Sequence, residues 1–132
     1  MKQPRVLVID DEKNFIEWVA EVLTAAGYTV STAVSGREGI ALAEHEKPDI
    51  IMLDIRMPDM DGFDVLRSLK DSAVTMSIPV IMLTALTSHE ARMQALHLYC
   101  EGYVEKPCTA ETVLSKIHAV LKRRQELQKR FV

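Results

Sequence analysis

The residues of this 132-residue chain that could do chemistry come in short groups, and each group follows an apolar, β-branched run. Asp10, Asp11 and Glu12 follow Val6-Leu-Val-Ile9. Asp54 follows Ile50-Ile-Met-Leu53, with Arg56, Met57 and Pro58 next. Thr84 and Ala85 follow Val80-Ile-Met-Leu83. Lys106 and Pro107 come just after Gly102-Tyr-Val104. Carboxylates gathered in one place repel one another and raise each other's pKa values. A hard divalent cation relieves that repulsion. Carboxylates with a carbonyl and waters suit Mg²⁺, with Mn²⁺ as a substitute. A cation beside Asp54 would let its carboxylate tolerate an incoming phosphoryl group. Lys106 could pair with the phosphoryl oxygens as a point charge, and Thr84 could donate a hydrogen bond to another. An aspartate nucleophile that takes a phosphoryl group is established chemistry, and a metal and a cation both stabilise its transition state. Each group alone is also an ordinary turn. Their joint appearance after four separate runs carries the reading.

Those runs are the elements that must position the chemistry. Strands are expected at Val6–Ile9, Thr29–Ala33, Ile50–Leu53, Val80–Leu83 and Gly102–Val104. The first, third and fourth are nearly all apolar, as strands covered on both faces must be. The second and the short fifth look like edge strands. Helices are expected between them. The first runs from about Asn14 to Ala26 and stops at Gly27. The second starts at Ser35, with Glu38 at capping-box spacing, and stops before Pro48. The third spans about Phe63 to Lys70, and the fourth starts near Thr87, with Glu90 three residues on. The fifth starts at Thr109 and shows an amphipathic stripe of Val113, Leu114, Ile117, Val120 and Leu121. Strand–helix units with short links imply a parallel sheet with right-handed crossovers. In such an open α/β sheet, ligands bind outside the carboxyl ends of the strands, which is where the chemical groups fall.

Composition narrows the alternatives. Apolar residues make up 48% and charged residues 27%, which excludes a largely disordered chain. Every apolar run breaks well short of a membrane span, and the start of the chain has no signal-peptide pattern. The net charge of −3 disfavours direct nucleic-acid binding. Cys100 and Cys108 suggest no disulfide framework, which fits a reducing cytoplasm. From Leu121 onward the chain carries +4. That segment is either a solvated helix end or a signalling helix leading to an effector domain.

The combined motifs resemble the receiver domain of two-component response regulators, the flavodoxin-like (βα)5 fold. The matching stretches are Val6-Leu-Val-Ile-Asp-Asp-Glu12, Asp54-Ile-Arg-Met-Pro-Asp-Met-Asp-Gly62, Pro79-Val-Ile-Met-Leu-Thr-Ala85 and Tyr103-Val-Glu-Lys-Pro107. The resemblance implies a doubly wound parallel five-stranded sheet of order 2-1-3-4-5. The receiver would occupy residues 1–121, and residues 122–132 would be the basic end of the last helix or the start of a linker. It implies that Asp54 accepts a phosphoryl group from a sensor histidine kinase or phosphotransfer protein. Asp11 would bind Mg²⁺ directly, Asp10 through metal-bound water, and Asp54 and the Arg56 backbone carbonyl would also be ligands. Thr84 would be the switch hydroxyl and Lys106 the phosphoryl-pairing amine, with a cis bond to Pro107. Tyr103 would turn inward on activation, so that the surrounding face is read by a second copy or a downstream effector. Three places depart from the family pattern. Tyr99 and Cys100 stand where Gly-Ala is usual, Cys108 stands where an apolar residue is usual, and the segment Asp71–Ser77 is long. Arg56 and Leu86 flank the site at positions that tune phosphoryl hydrolysis in the family.

Phe15, Trp18 and Val22 form a second apolar stripe on the first helix. It either packs beside the fifth helix or docks the phosphodonor. His45, His89, His97 and His118 lack ligand spacing and read as ordinary histidines. A metabolic phosphatase of the haloacid-dehalogenase type uses a similar residue set. It needs a second acid two residues past its nucleophile, where this chain has Arg56. A nucleotide or flavin carrier would need a Gly-rich phosphate loop, and Gly36 with Gly39 does not make one.

Overall fold

The computed structural model describes residues 3–85 and 100–130, with Thr84 described by its backbone alone. Among these, the elements are β1 (Arg5–Ile9), α1 (Lys13–Ala25), β2 (Thr29–Ala33), α2 (Gly36–Glu46), β3 (Ile50–Asp54), α3 (Gly62–Asp71), β4 (Val80–Thr84), β5 (Gly102–Glu105) and α4 (Ala110–Arg130). The helix expected from Thr87, together with Leu86 and Tyr99, lies outside the described residues. The long final helix α4 is therefore the fifth expected one.

The five strands form one parallel sheet of order β2-β1-β3-β4-β5. This is the flavodoxin-like order, and β2 and β5 are the edges, as their weaker apolar patterns suggested. The two-residue period of a strand divides the core into two layers. Leu7, Ile9, Ile51, Leu53, Val80 and Met82 face one layer with Phe63, Val65, Leu66 and Leu69 of α3. Val6, Val8, Ile50, Met52, Ile81 and Leu83 face the other, with Ile16, Val19 and Leu23 of α1 and Val113, Ile117 and Val120 of α4. All twelve of these strand residues are buried, and each contributes roughly 1.5–3 kcal/mol of hydrophobic stabilisation. On α1, Ile16, Val19 and Leu23 are buried, while Ala20 is only half-buried.

Helix boundaries follow local chemistry. The Ser35 hydroxyl accepts a hydrogen bond from the Glu38 N–H and caps α2. That helix ends at Lys47, whose φ of 50° places it in the left-handed region before Pro48. Gly27 ends the first helical turn region with φ 99°, a conformation that glycine adopts without a Cβ penalty. α3 begins one residue earlier than expected, because the Asp61 carboxylate accepts from the Phe63 N–H at 2.7 Å. The long segment after α3 is a set of turns closed by a buried Thr75. Its hydroxyl donates to the Leu69 carbonyl at 2.6 Å. Lys70 Nζ holds the Ile78 carbonyl at 3.0 Å, and Arg124 of α4 donates to the Ser77 carbonyl.

Candidate functional site

The register of the sheet brings the chemical groups to one rim. Ile9 pairs with Leu53, so Asp10 and Asp54 come next on adjacent strands. Asp54 pairs with Leu83, one residue before Thr84. Thr84 pairs with Glu105, one residue before Lys106. The Lys106–Pro107 bond is cis, as expected. One carboxylate oxygen from each of Asp10, Asp11 and Asp54 lies within 4.8 Å of the other two. Asp10 is fully buried and Asp54 is 5% exposed, whereas Asp11 faces solvent. Lys106 Nζ reaches Asp10 at 2.5 Å, Glu12 at 3.3 Å and Asp54 at 3.7 Å.

The electrostatics follow from this crowding. Burial first, and then the negative charge of Asp10, raise the Asp54 pKa from 3.8 to about 7, although Lys106 pulls it down. Burial also raises Asp10, against the hydrogen bond from Lys106. For Lys106, burial disfavours the charged form. The Asp10 hydrogen bond and the charges of Asp54, Asp10 and Glu12 outweigh it and keep the amine above its ordinary value. One amine cannot neutralise four nearby acids. Three oxygen donors at this spacing, with charge left over, fit a hard divalent cation.

The loop after β3 is fixed from behind. The Gly62 N–H donates to the Ile55 carbonyl at 2.7 Å. Asp59 accepts from the Gly36 N–H at 3.0 Å and the Arg37 N–H at 3.2 Å, at the start of α2. These hydrogen bonds hold the Asp59 carboxyl below the usual carboxylate range. Asp59→Ala is expected to cost about 1 kcal/mol, as the loss of a helix cap does. Because the native pKa is depressed, this contribution is present above about pH 4 and fades as pH falls through the native value. Urea unfolding near pH 7 and near pH 3 checks both parts, and an equal cost at the two values would contradict them.

The other residues singled out from the sequence divide clearly. Arg56 is exposed and, with Asp11, Ile55, Met57, Pro58 and Asp61, lines a cleft of about 390 Å³ at the rim. Tyr103 is half-buried and packs against the α3-side layer. Phe15 and Trp18 pack against the opposite layer beside α4, with ring centroids 5.9 Å apart. Cys108 lies near Lys106, yet burial pushes its thiol pKa up, so it is a poor nucleophile. The Thr84 hydroxyl is outside the described atoms. Two contacts were not legible in advance. Glu12 joins Lys106, and Lys106 Nζ stands over the Phe15 ring, 4.3 Å from its centroid. Phe15 reads as a stripe residue from helical periodicity, which says nothing of the turn leading into α1.

The fold and the rim together define a two-component receiver. A family model for the response regulator receiver domain matches residues 6–118, and the chain belongs to that family. It is 41% identical over 120 residues to the DNA-binding dual master transcriptional regulator RpaA of Synechocystis sp., covering 91% of this chain and 50% of RpaA. It is 36% identical over 117 residues to Protein PilH of Pseudomonas aeruginosa, covering 89% of this chain and 97% of PilH. The chain thus spans half the length of the first relative and nearly all of the second. Among solved structures, a CheY-like response regulator receiver domain protein from Methanospirillum hungatei superimposes with a TM-score of 0.89 at 27% identity. That match covers 95% of this chain and 98% of the other. Among the described residues, no helix is long and apolar enough to cross a membrane.

Proposed function

We propose that Asp54 accepts a phosphoryl group from a sensor histidine kinase or phosphotransfer protein, and that the chain acts as a signalling switch in the cytoplasm rather than as a metabolic enzyme. The observation that carries this is the nearly buried Asp54 carboxylate, held between two further aspartates and a lysine at the carboxyl rim of the sheet. An Asp54 oxygen attacks the phosphorus of a phosphohistidine. A P–O bond forms as the P–N bond breaks, and the departing imidazole nitrogen keeps the bonding pair. Lys106 Nζ meets an oxygen of the transferred group, and the Thr84 hydroxyl donates to another. Mg²⁺, or Mn²⁺ in its place, would be held by Asp10, Asp11, Asp54 and the Arg56 carbonyl, and would neutralise charge on the phosphoryl oxygens. Lys106, 3.7 Å away, attracts the Asp54 carboxylate against the repulsion of Asp10. Hydrolysis of the aspartyl phosphate is slow.

Thr84 and Tyr103 carry the switch, and the face around Tyr103 is read by an effector or by a second copy of the chain. Residues 1–121 form the receiver, and residues 122–132 form its basic helical end or the start of a linker. Phe15 and Trp18 give the phosphodonor a docking edge. No nucleic acid or membrane is contacted directly. The test uses acetyl phosphate with Mg²⁺, read by intact-protein mass. Wild type is expected to gain one phosphoryl group, and chelation of the metal is expected to prevent it. Uptake by the Asp54→Asn variant equal to that of wild type would overturn the assignment. Multiple turnovers on a generic phosphate ester would overturn the non-metabolic reading. Light scattering with beryllofluoride, a phosphoryl mimic, reports whether the switch drives self-association.

A further inference from the structure

Lys106 is the one lysine at the rim in contact with Asp54 among the described residues, and its ammonium is pulled three ways. Asp10 holds it at 2.5 Å, Glu12 at 3.3 Å and Asp54 at 3.7 Å. The third distance is too long for a hydrogen bond. Glu12 is 65% exposed, so it is a weak hold. The strongest carboxylate partner therefore draws the amine toward Asp10 rather than Asp54. The fourth neighbour is not an acid. Nζ stands over the face of Phe15, 4.3 Å from the ring centroid, well within cation–π range. The Lys106 side chain is only 12% exposed, which places the contact where such attraction is worth most. An aromatic face attracts the charge but accepts none of the three N–H donors in the way an oxygen would. It holds the ammonium while leaving a donor for an incoming phosphoryl oxygen. Trp18, tilted 50° to Phe15, backs the ring, and both rings pack against the layer beneath α1 and α4.

We propose that Phe15 is a positioning residue for phosphoryl transfer: its ring face helps hold the Lys106 ammonium at the carboxylate rim, 3.7 Å from Asp54, without consuming the donor that the phosphoryl group needs. The proposal rests on Lys106 acting on the phosphoryl group, as argued above. It concerns rate and not the identity of the acceptor.

The experiment measures the rate of phosphorylation by acetyl phosphate in saturating Mg²⁺. Phe15 is replaced by Tyr, by Leu, and by phenylalanines carrying one, two and three ring fluorines. Phe15→Leu is expected to lose about tenfold and Phe15→Tyr less than about twofold. Fluorination leaves the ring shape nearly unchanged but weakens its negative face, so the rate is expected to fall stepwise with each fluorine. A purely packing role gives no such slope. In a Lys106→Ala background the fluorine series is expected to be flat, because the two residues act as one unit. Equal rates across the series in wild-type background would overturn the proposal even if Phe15→Leu folds poorly. So would a slope that survives Lys106→Ala. The Asp54→Asn protein separates the two levels: phosphoryl uptake there sinks the acceptor assignment, whereas a flat fluorine series with no uptake there sinks only the role of Phe15.

Discussion

Gly62→Ala is expected to destabilise the protein by about 3 kcal/mol and to stop phosphoryl uptake at Asp54. A methyl at position 62 would collide with the Asp54 carbonyl oxygen and stand 2.6 Å from the Ile55 Cα. Both are backbone atoms, so no flexible side-chain end can swing aside. Alanine gains about 1 kcal/mol over glycine in a helix, but overlap with backbone outweighs that. The loop must retreat, and it takes Asp54 with it. Gly27→Ala is the contrasting case. Nothing lies within 4 Å of a methyl there, and only the left-handed φ of 99° opposes it. Its expected cost is about 1 kcal/mol with uptake unchanged. Denaturant unfolding followed by Trp18 fluorescence, beside the acetyl phosphate assay, measures both. A Gly62→Ala protein with wild-type stability would show that the loop has another place to go.

Asp54→Asn is expected to abolish phosphoryl uptake and, in chelator, to make the protein more stable. The raised pKa of Asp54, about 7 against 3.8, means that the native state binds this proton more tightly than the unfolded chain. The favourable contribution is complete below about pH 4 and is lost as pH rises through 7. Asparagine carries no charge to bury, so the gain over wild type grows between about pH 4 and pH 8. Near pH 8 we expect about 1–2 kcal/mol, or about 3–6 °C in Tm. This is less than the full linkage value, because the carboxyl lies at the rim, where water screens part of its charge. Mg²⁺ should raise the wild-type Tm more than that of the variant. Thermal unfolding at the two pH values, with chelator and with Mg²⁺, checks the sign. A gain of equal size at both would mean that charge burial is not its cause.

The parts of this molecule that were legible in the sequence are those governed by short periods. β1, β3 and β4 are runs of apolar residues with no room for a solvated face, so a covered parallel sheet was the natural reading. The rim followed, because Asp10, Asp54, Thr84 and Lys106 each sit at or just past a strand end. The motifs also carried the family, and the family carried the strand order, which periodicity alone leaves open. What was not legible depends on three-dimensional proximity. The cap that Asp59 provides to α2 spans 23 residues. The contact of Phe15 with Lys106 spans most of the chain. The closeness of Gly62 to the Asp54 carbonyl is a fact about two backbones crossing, and no side-chain pattern encodes it. The turns after α3 were visible only as excess length, because their order comes from single polar anchors such as Thr75.

The loop after β3 is anchored at its far end and lines the rim cleft along its first part, with Asp61 doing both. Asp59, Asp61 and Gly62 fix its course through hydrogen bonds with backbone N–H groups, while Arg56, Met57 and Pro58 line the cleft beside Asp61 and take no part in those bonds. Positions 56 and 58 are therefore a tuning dial mounted on a fixed frame. Exchanging the exposed Arg56 and Pro58 would alter the surroundings of the proposed acceptor oxygen, and with them the duration of a signal, at little cost in folding, whereas Met57 also packs against the core. A library confined to residues 56 and 58 would explore fast and slow timers on one scaffold.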